Sequence, residues 1–115
     1  EMTLAVMAAF GVTVAADPGH SVFRTPKAVY VGHSYDIEPD ASAASYFFAA
    51  AAVSGGQVTV EGLSRKSLQG DIAFVELLER MGCKAQWSAD SVSVQGGPLV
   101  GIDVDMNAVS DTVMT

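Results

Sequence analysis

Two stretches of the chain, 71 residues apart, follow one local plan. Residues 4–16, "LAVMAAFGVTVAA", and 75–87, "VELLERMGCKAQW", each run as an apolar helical pattern to a large hydrophobe and a glycine, then become strand-like. The pairs are Phe10-Gly11 and Met81-Gly82. Glycine stops a helix there because it enters the left-handed region without a Cβ penalty. A short turn follows each copy, "ADPGH" (16–20) with its Pro-Gly pair and "SADS" (88–91). Second strand patterns come next, "SVFRT" (21–25) and "SVSVQ" (91–95). Helix, strand, turn and strand thus recur as a unit, and a repeated unit of this kind places helices against a sheet.

Between the copies lies a further set of elements. "AVYVGH" (28–33) reads as a strand and "SYDIEPD" (34–40) as an extended link, since Pro39 moves Glu38 out of the helical region. Asp40 or Ser42 caps a helix over 41–55, with Tyr46, Phe47 and Phe48 as its large anchors and Gly55-Gly56 as its stop. "QVTVEGL" (57–63) alternates as a strand. A second helix is expected over 67–82, with Ile72, Val75, Leu78 and Met81 inward and a Glu76–Arg80 pair four apart on its surface. "KAQWSA" and "SVSVQG" then form a hairpin, and "LVGIDVDM" (99–106) reads as the next strand. The expected order is β-α-β-α-β-β followed by the first strand of a further unit. Helices on one face of a mixed sheet make the class α+β.

Both ends read as cut. The chain opens at Glu1 inside the apolar helical pattern "EMTLAVMAAFGV", in which Met2, Val6, Ala9 and Phe10 share a face, with no start signal before it. It closes on "GIDVDMNAVSDTVMT", where a strand pattern runs into Ser110-Asp111, the usual opening of a helix, and no helix follows. No signal or transit peptide can be read from such a start. A cut strand edge invites edge-to-edge pairing, so self-association of the isolated chain is expected.

The 115 residues suffice for about one domain, and half of them are hydrophobic. The longest small-apolar run, "FFAAAAV" (47–53), is far shorter than the ~20 residues that cross a bilayer. One cysteine, Cys83, excludes an internal disulfide and fits a reducing, cytoplasmic setting. Six basic residues are scattered against thirteen acidic ones, for a net charge of −7. Nucleic acid is therefore not an expected partner, and this chain alone has a poor charge balance for an anionic metabolite.

Candidate chemistry is sparse. Ser34, Ser45 and Ser67 have no histidine–aspartate arrangement near them in sequence and no nucleophile elbow. His20 and His33 read as solvated loop histidines, and Cys83, entering a strand, as a buried inert thiol. "SGG" (54–56) and "QGG" (95–97) are turns without phosphate-loop spacing. Asp103 and Asp105 alternate with Ile102, Val104 and Met106, so they share one strand face. They are either a carboxylate pair for a divalent cation or the polar outer face of a half-buried strand, and the second reading is favoured. Asp111 lies at a strand-to-helix junction, where a cap and a general acid/base are both reasonable roles.

These segments resemble a known family. "EPDASAASYFFAAAAVSGGQVTVEGL" (38–63), "SLQGDIAFVELLERMG" (67–82) and "IDVDMNAVSDTVMT" (102–115) are similar to 5-enolpyruvylshikimate-3-phosphate synthases, and "MTLAVMAAFGVTV" (2–14) to the stretch just after that family's shikimate-contacting serine and tyrosine. The resemblance runs along essentially the whole chain. It implies a transferase that moves the enolpyruvyl group of phosphoenolpyruvate to the 5-hydroxyl of shikimate 3-phosphate, through a tetrahedral addition–elimination intermediate, on the route to chorismate and the aromatic amino acids. It implies no metal and no organic cofactor, a monomeric parent enzyme, and a cytoplasmic location, or a plastid if the source is a plant. The implied fold is an inverse α/β barrel in two lobes, each of three β-α-β-α-β-β units. Residues 1–37 would be the C-terminal tail of one lobe, and 38–115 the first unit of the other plus the start of the next. Asp111 matches the family's D-x-x-M-T aspartate, which lies at the 5-hydroxyl of shikimate 3-phosphate and transfers its proton. The cationic clamps for phosphate and carboxylate come from segments outside 1–115, and neither Arg65 nor Lys66 matches one. The expectation is a piece of the transferase that is inactive alone. The alternative is a non-catalytic structural or interaction domain of the same fold.

Overall fold

In the computed structural model, which describes residues 2–115, one unit ends at Asp36 and a second begins at Ile37. The first opens with helix α1 (Met2–Ala9). Gly11, at φ +87°, closes it: Gly11 N–H donates to Ala8 O at 2.9 Å and Val12 N–H to Met7 O at 2.9 Å. Strands β1 (Ala15–Ala16) and β2 (Phe23–Arg24) pair antiparallel. The Asp17 carboxylate holds the turn between them, accepting from Ser21 N–H and Val22 N–H, both at 2.7 Å, and from the Ser21 hydroxyl at 2.8 Å. The Val22 amide, then the Ser21 hydroxyl, hold its carboxyl below the ordinary value.

The strand expected over 28–33 is absent. A strand needs a neighbour that satisfies alternate N–H and C=O groups. Here Val31 N–H donates to Phe10 O at 2.9 Å, and no ladder forms. His33 Nε2 lies 2.9 Å from Ala9 O, and its ring packs 4.8 Å from that of Phe10.

In the second unit, Asp40 caps helix α2 (Ala41–Ser54) by accepting from Ala43 N–H at 2.9 Å, and Gly55 at φ +71° ends it. Strand β3 (Gln57–Glu61) follows, and a loop leads to a 3-10 turn (Gly70–Ala73) that runs directly into helix α3 (Phe74–Arg80). The expected helix over 67–82 is therefore shorter. Residues 67–69 are spent on side-chain-bonded loop structure, with Glu38 accepting from Leu68 N–H at 3.1 Å and Ser67 Oγ from Ser64 N–H at 3.0 Å. Strands β4 (Lys84–Trp87) and β5 (Ser91–Gln95) form the expected hairpin.

The sheet order is β3-β5-β4, with both pairs antiparallel rather than mixed. Register places Val58 and Ala85 opposite Val94, and Val60 and Trp87 opposite Val92, so apolar side chains line one face. Helices α2 and α3 cover that face, burying Ala41, Ala44, Phe48, Ala52, Phe74, Val75 and Leu78 against Val92 and Val94. Ile72 and Met81 pack at its margin. Of the three expected anchors of α2 only Phe48 turns inward, at 1% exposure; Tyr46 and Phe47 lie outside, at 61% and 62%. The architecture is α+β.

The Glu76–Arg80 pair does not form. Glu76 is taken by Arg65 at 3.0 Å, whose guanidinium sits 4.3 Å over the Trp87 ring, and Arg80 donates instead to Asp103 O at 3.1 Å. Residues 99–106, expected as a strand, carry no ladder, and Val100 N–H reaches Met81 O at 2.8 Å. Gly82, at φ +111°, permits this approach, because a Cβ there would run into Pro98 O. The chain thus leaves the sheet across the end of α3 and returns towards α2.

Candidate functional site

Asp111 lies in a 3-10 stretch, Asn107–Thr112, broken by non-helical angles at Val109 (φ −136°, ψ 42°). It is inside this stretch and caps nothing: Met106 occupies the cap position, and the Asp105 carboxylate accepts from Asn107 N–H at 2.9 Å. Val109 and Thr112 are buried, at 4% and 1%, while Asp111 between them is exposed. Thr112 Oγ1 donates to Val109 O at 2.8 Å, closing the turn on itself. With Val109 and Thr112 anchored inward, the Asp111 carboxylate faces solvent.

The turn rests on α2 and on the 3-10 turn before α3. Ser45, on α2 and 1% exposed, donates to Ser42 O at 2.6 Å and lies 3.2 Å from Thr115 Oγ1. The Ser42 hydroxyl bonds the Asp71 carboxylate. Gln69 accepts from Ala41 N–H at 2.8 Å and donates to Pro39 O at 2.7 Å and to Glu38 at 3.1 Å. These bonds tie the start of α2 to residues 68–71 and satisfy an amide that would otherwise be left unpaired at a helix N-terminus.

The other candidates are not brought to Asp111. Asp103 and Asp105 are exposed, share no strand face because no strand is present, and Asp105 is occupied with Asn107, whose Nδ2 donates to it at 2.7 Å. Among the described residues, no three histidine, cysteine or acidic side chains come together as metal ligands. His20, at φ +50°, is in the first unit, beside a cleft of about 360 Å³ that Thr3, Leu4, Met7, Val14, Phe23 and Thr25 complete. Cys83 is buried under the helices, and burial pushes its thiol up, partly offset by a Gly97 backbone hydrogen bond. No helix among the described residues is long and apolar enough to cross a membrane.

Comparison with known proteins gives the frame for this turn. The family model described as EPSP synthase (3-phosphoshikimate 1-carboxyvinyltransferase) matches residues 1–115. The chain belongs to the EPSP synthase family. It is 47% identical to the 3-phosphoshikimate 1-carboxyvinyltransferase of Photorhabdus laumondii and 46% identical to that of Xenorhabdus nematophila, each over all of this chain. The Yersinia pestis protein of the same name is 43% identical, again over the whole chain. In each case the chain spans 27% of the relative's length. EPSP synthase membership accounts for the resemblance at 38–63, 67–82 and 102–115. What sequence reasoning did not single out is the support beneath the Asp111 turn. Ser45, Thr112 and Thr115 are ordinary hydroxyl residues in the sequence; burial marks out Ser45 and Thr112, and Thr115 is marked only by its contact with Ser45, so the one available signal was Ser45 among the alanines of α2.

Proposed function

We propose that this chain is an internal part of a longer enzyme that transfers the enolpyruvyl group of phosphoenolpyruvate to the 5-hydroxyl of shikimate 3-phosphate. The observation that carries the proposal is the family match along all 115 residues, with 43–47% identity to proteins named for that transfer. Residues 1–37 belong to the tail of one lobe and 38–115 to the first β-α-β-α-β-β unit of the other and the start of the next. The division between Asp36 and Ile37 supports this assignment.

Asp111 is the proton-transferring group and touches shikimate 3-phosphate. Its exposure on a turn anchored by the buried Val109 and Thr112 supports the role. In the addition step the carboxylate takes the 5-hydroxyl proton as that oxygen bonds to C2 of phosphoenolpyruvate, and C3 gains a proton. In the elimination step the C–O bond to phosphate breaks, C3 loses a proton, and the enol ether double bond forms. Two anionic substrates need cationic clamps, and with a net charge of −7 this chain is a poor source of them.

The test is Asp111→Ala in the full-length enzyme. Turnover should fall by about 10²–10⁴-fold while shikimate 3-phosphate still binds; retained turnover would sink the assignment. Isothermal titration of the 115-residue chain with shikimate 3-phosphate should show no binding at millimolar ligand. Micromolar binding would show that the site is complete within it.

A further inference from the structure

We infer that Ser45 and Thr115 are positioning residues for the Asp111 carboxylate, an inference that rests on the function proposed above. Ser45 is the one polar residue buried on α2, where Ala41, Ala44, Phe48, Ala51 and Ala52 fill the other inward positions. Serine is a poorer helix former than alanine, and a buried hydroxyl is costly unless bonded. Its single proton goes to Ser42 O at 2.6 Å, which leaves its lone pairs towards Thr115 Oγ1 at 3.2 Å. Thr115 is therefore the donor, and a directed chain runs from Thr115 to Ser45 to the Ser42 carbonyl.

This chain is the side-chain link between α2 and the segment that carries Asp111. Thr115 N–H donates to Thr112 O at 3.0 Å, Val113 N–H to Ser110 O at 3.3 Å, and Thr112 Oγ1 to Val109 O at 2.8 Å. Residues 109–115 are thus a run of tight turns with Thr112 buried in the middle and Thr115 bonded at the far end. Among the described residues, Asp111 itself has only the weak 3.4 Å contact from Ser110 Oγ, which is too long to orient its carboxylate. Its placement comes from the backbone, and the backbone is held by Val109 and Thr112 through packing and by Thr115 through Ser45. Ser42 extends the same path to Asp71, in the 3-10 turn before α3. A displacement of about 1 Å at a catalytic group costs up to roughly 10²-fold in rate, so a hydroxyl pair that sets this register has leverage over turnover.

The experiment uses the full-length enzyme with Ser45→Ala, Thr115→Val and Thr115→Ser, each also made on an Asp111→Ala background. Ser45→Ala and Thr115→Val should lower kcat by about 10–100-fold with KM for both substrates changed less than about twofold, and Thr115→Ser should restore most of kcat. On the Asp111→Ala background the same changes should have no further effect, because they act through that carboxylate. An unchanged kcat in Ser45→Ala and Thr115→Val overturns the inference, as does an equal loss on the Asp111→Ala background. If Ser45→Ala fails to fold, the near-isosteric Thr115→Val carries the test alone. Full turnover in Asp111→Ala would overturn the proposed function instead, and is a separate result.

Discussion

Phe47 and Phe48 are adjacent in sequence and opposite in environment, which makes a paired substitution the sharpest check on how α2 sits. Phe48 is 1% exposed and is the only large side chain that α2 contributes to the core, since its other buried positions are alanines and Ser45. Phe48→Ala leaves a cavity that alanines cannot collapse to fill, so it should cost about 3–5 kcal/mol. Phe47 is 62% exposed, so rather more than a third of it is covered. Full burial of phenylalanine contributes about 1.5–3 kcal/mol, so truncation there loses about 0.5–1 kcal/mol, of which alanine's helix propensity returns about half. The predicted difference between the two substitutions is thus about 3 kcal/mol. The assay is urea denaturation followed by the fluorescence of Trp87, the one tryptophan, which packs against the same core from β4. With an m-value of about 1.5 kcal/mol/M, the Phe48→Ala midpoint should fall by about 2 M or more and that of Phe47→Ala by less than about 0.5 M. If Phe48→Ala does not fold, Phe48→Leu should still lose about 1 kcal/mol while Phe47→Leu changes nothing measurable. Equal shifts at the two positions, or a larger one at Phe47, would refute the orientation of α2.

Gly82→Ala combines a φ of +111° with a Cβ directed at Pro98 O, and should cost about 2–4 kcal/mol in the same titration, whereas Gly101→Ala, with open space around it, should stay within about 0.5 kcal/mol. Cys83 should react with a thiol reagent at pH 8 far more slowly in the native chain than in urea, since its thiol is buried and its ionisation is pushed up. The linked stability is complete below the unfolded thiol value of about 8.5 and declines as pH rises above it; rapid native labelling would contradict the burial. Asp17 has the opposite sign: its depressed value adds stability to the β1–β2 turn above the ordinary value of 3.8, which is lost as pH falls through the native value. An NMR titration of its carboxyl carbon should give a midpoint below 3.8, and a midpoint at or above it would show that the Ser21 and Val22 hydrogen bonds are not made.

Much of the second unit is legible residue by residue because its signals are local. Asp40 before the alanine run, Gly55 and Gly82 after their helices, and the alternation in 57–61 and 91–95 each state a backbone preference that needs no distant partner. Asp111 could be singled out from its junction and from the family resemblance. The chain by itself therefore determined the α+β class, the order α2-β3-α3-β4-β5 and the family to which it belongs. What it could not determine are properties that depend on a second surface. Residues 28–33 and 99–106 alternate like strands, yet a strand exists only where a neighbouring backbone offers a continuous ladder, and here Val31 and Val100 each find a single backbone acceptor instead. Three consecutive large side chains, Tyr46, Phe47 and Phe48, are equal in composition, and only the sheet beneath α2 selects Phe48. Arg65 takes Glu76 from Arg80 because the Trp87 ring holds its guanidinium in place. The seating of the Asp111 turn is of the same kind: Ser45 and Thr115 stand 70 residues apart in the chain, and their hydroxyls meet only once α2 and the turn have packed.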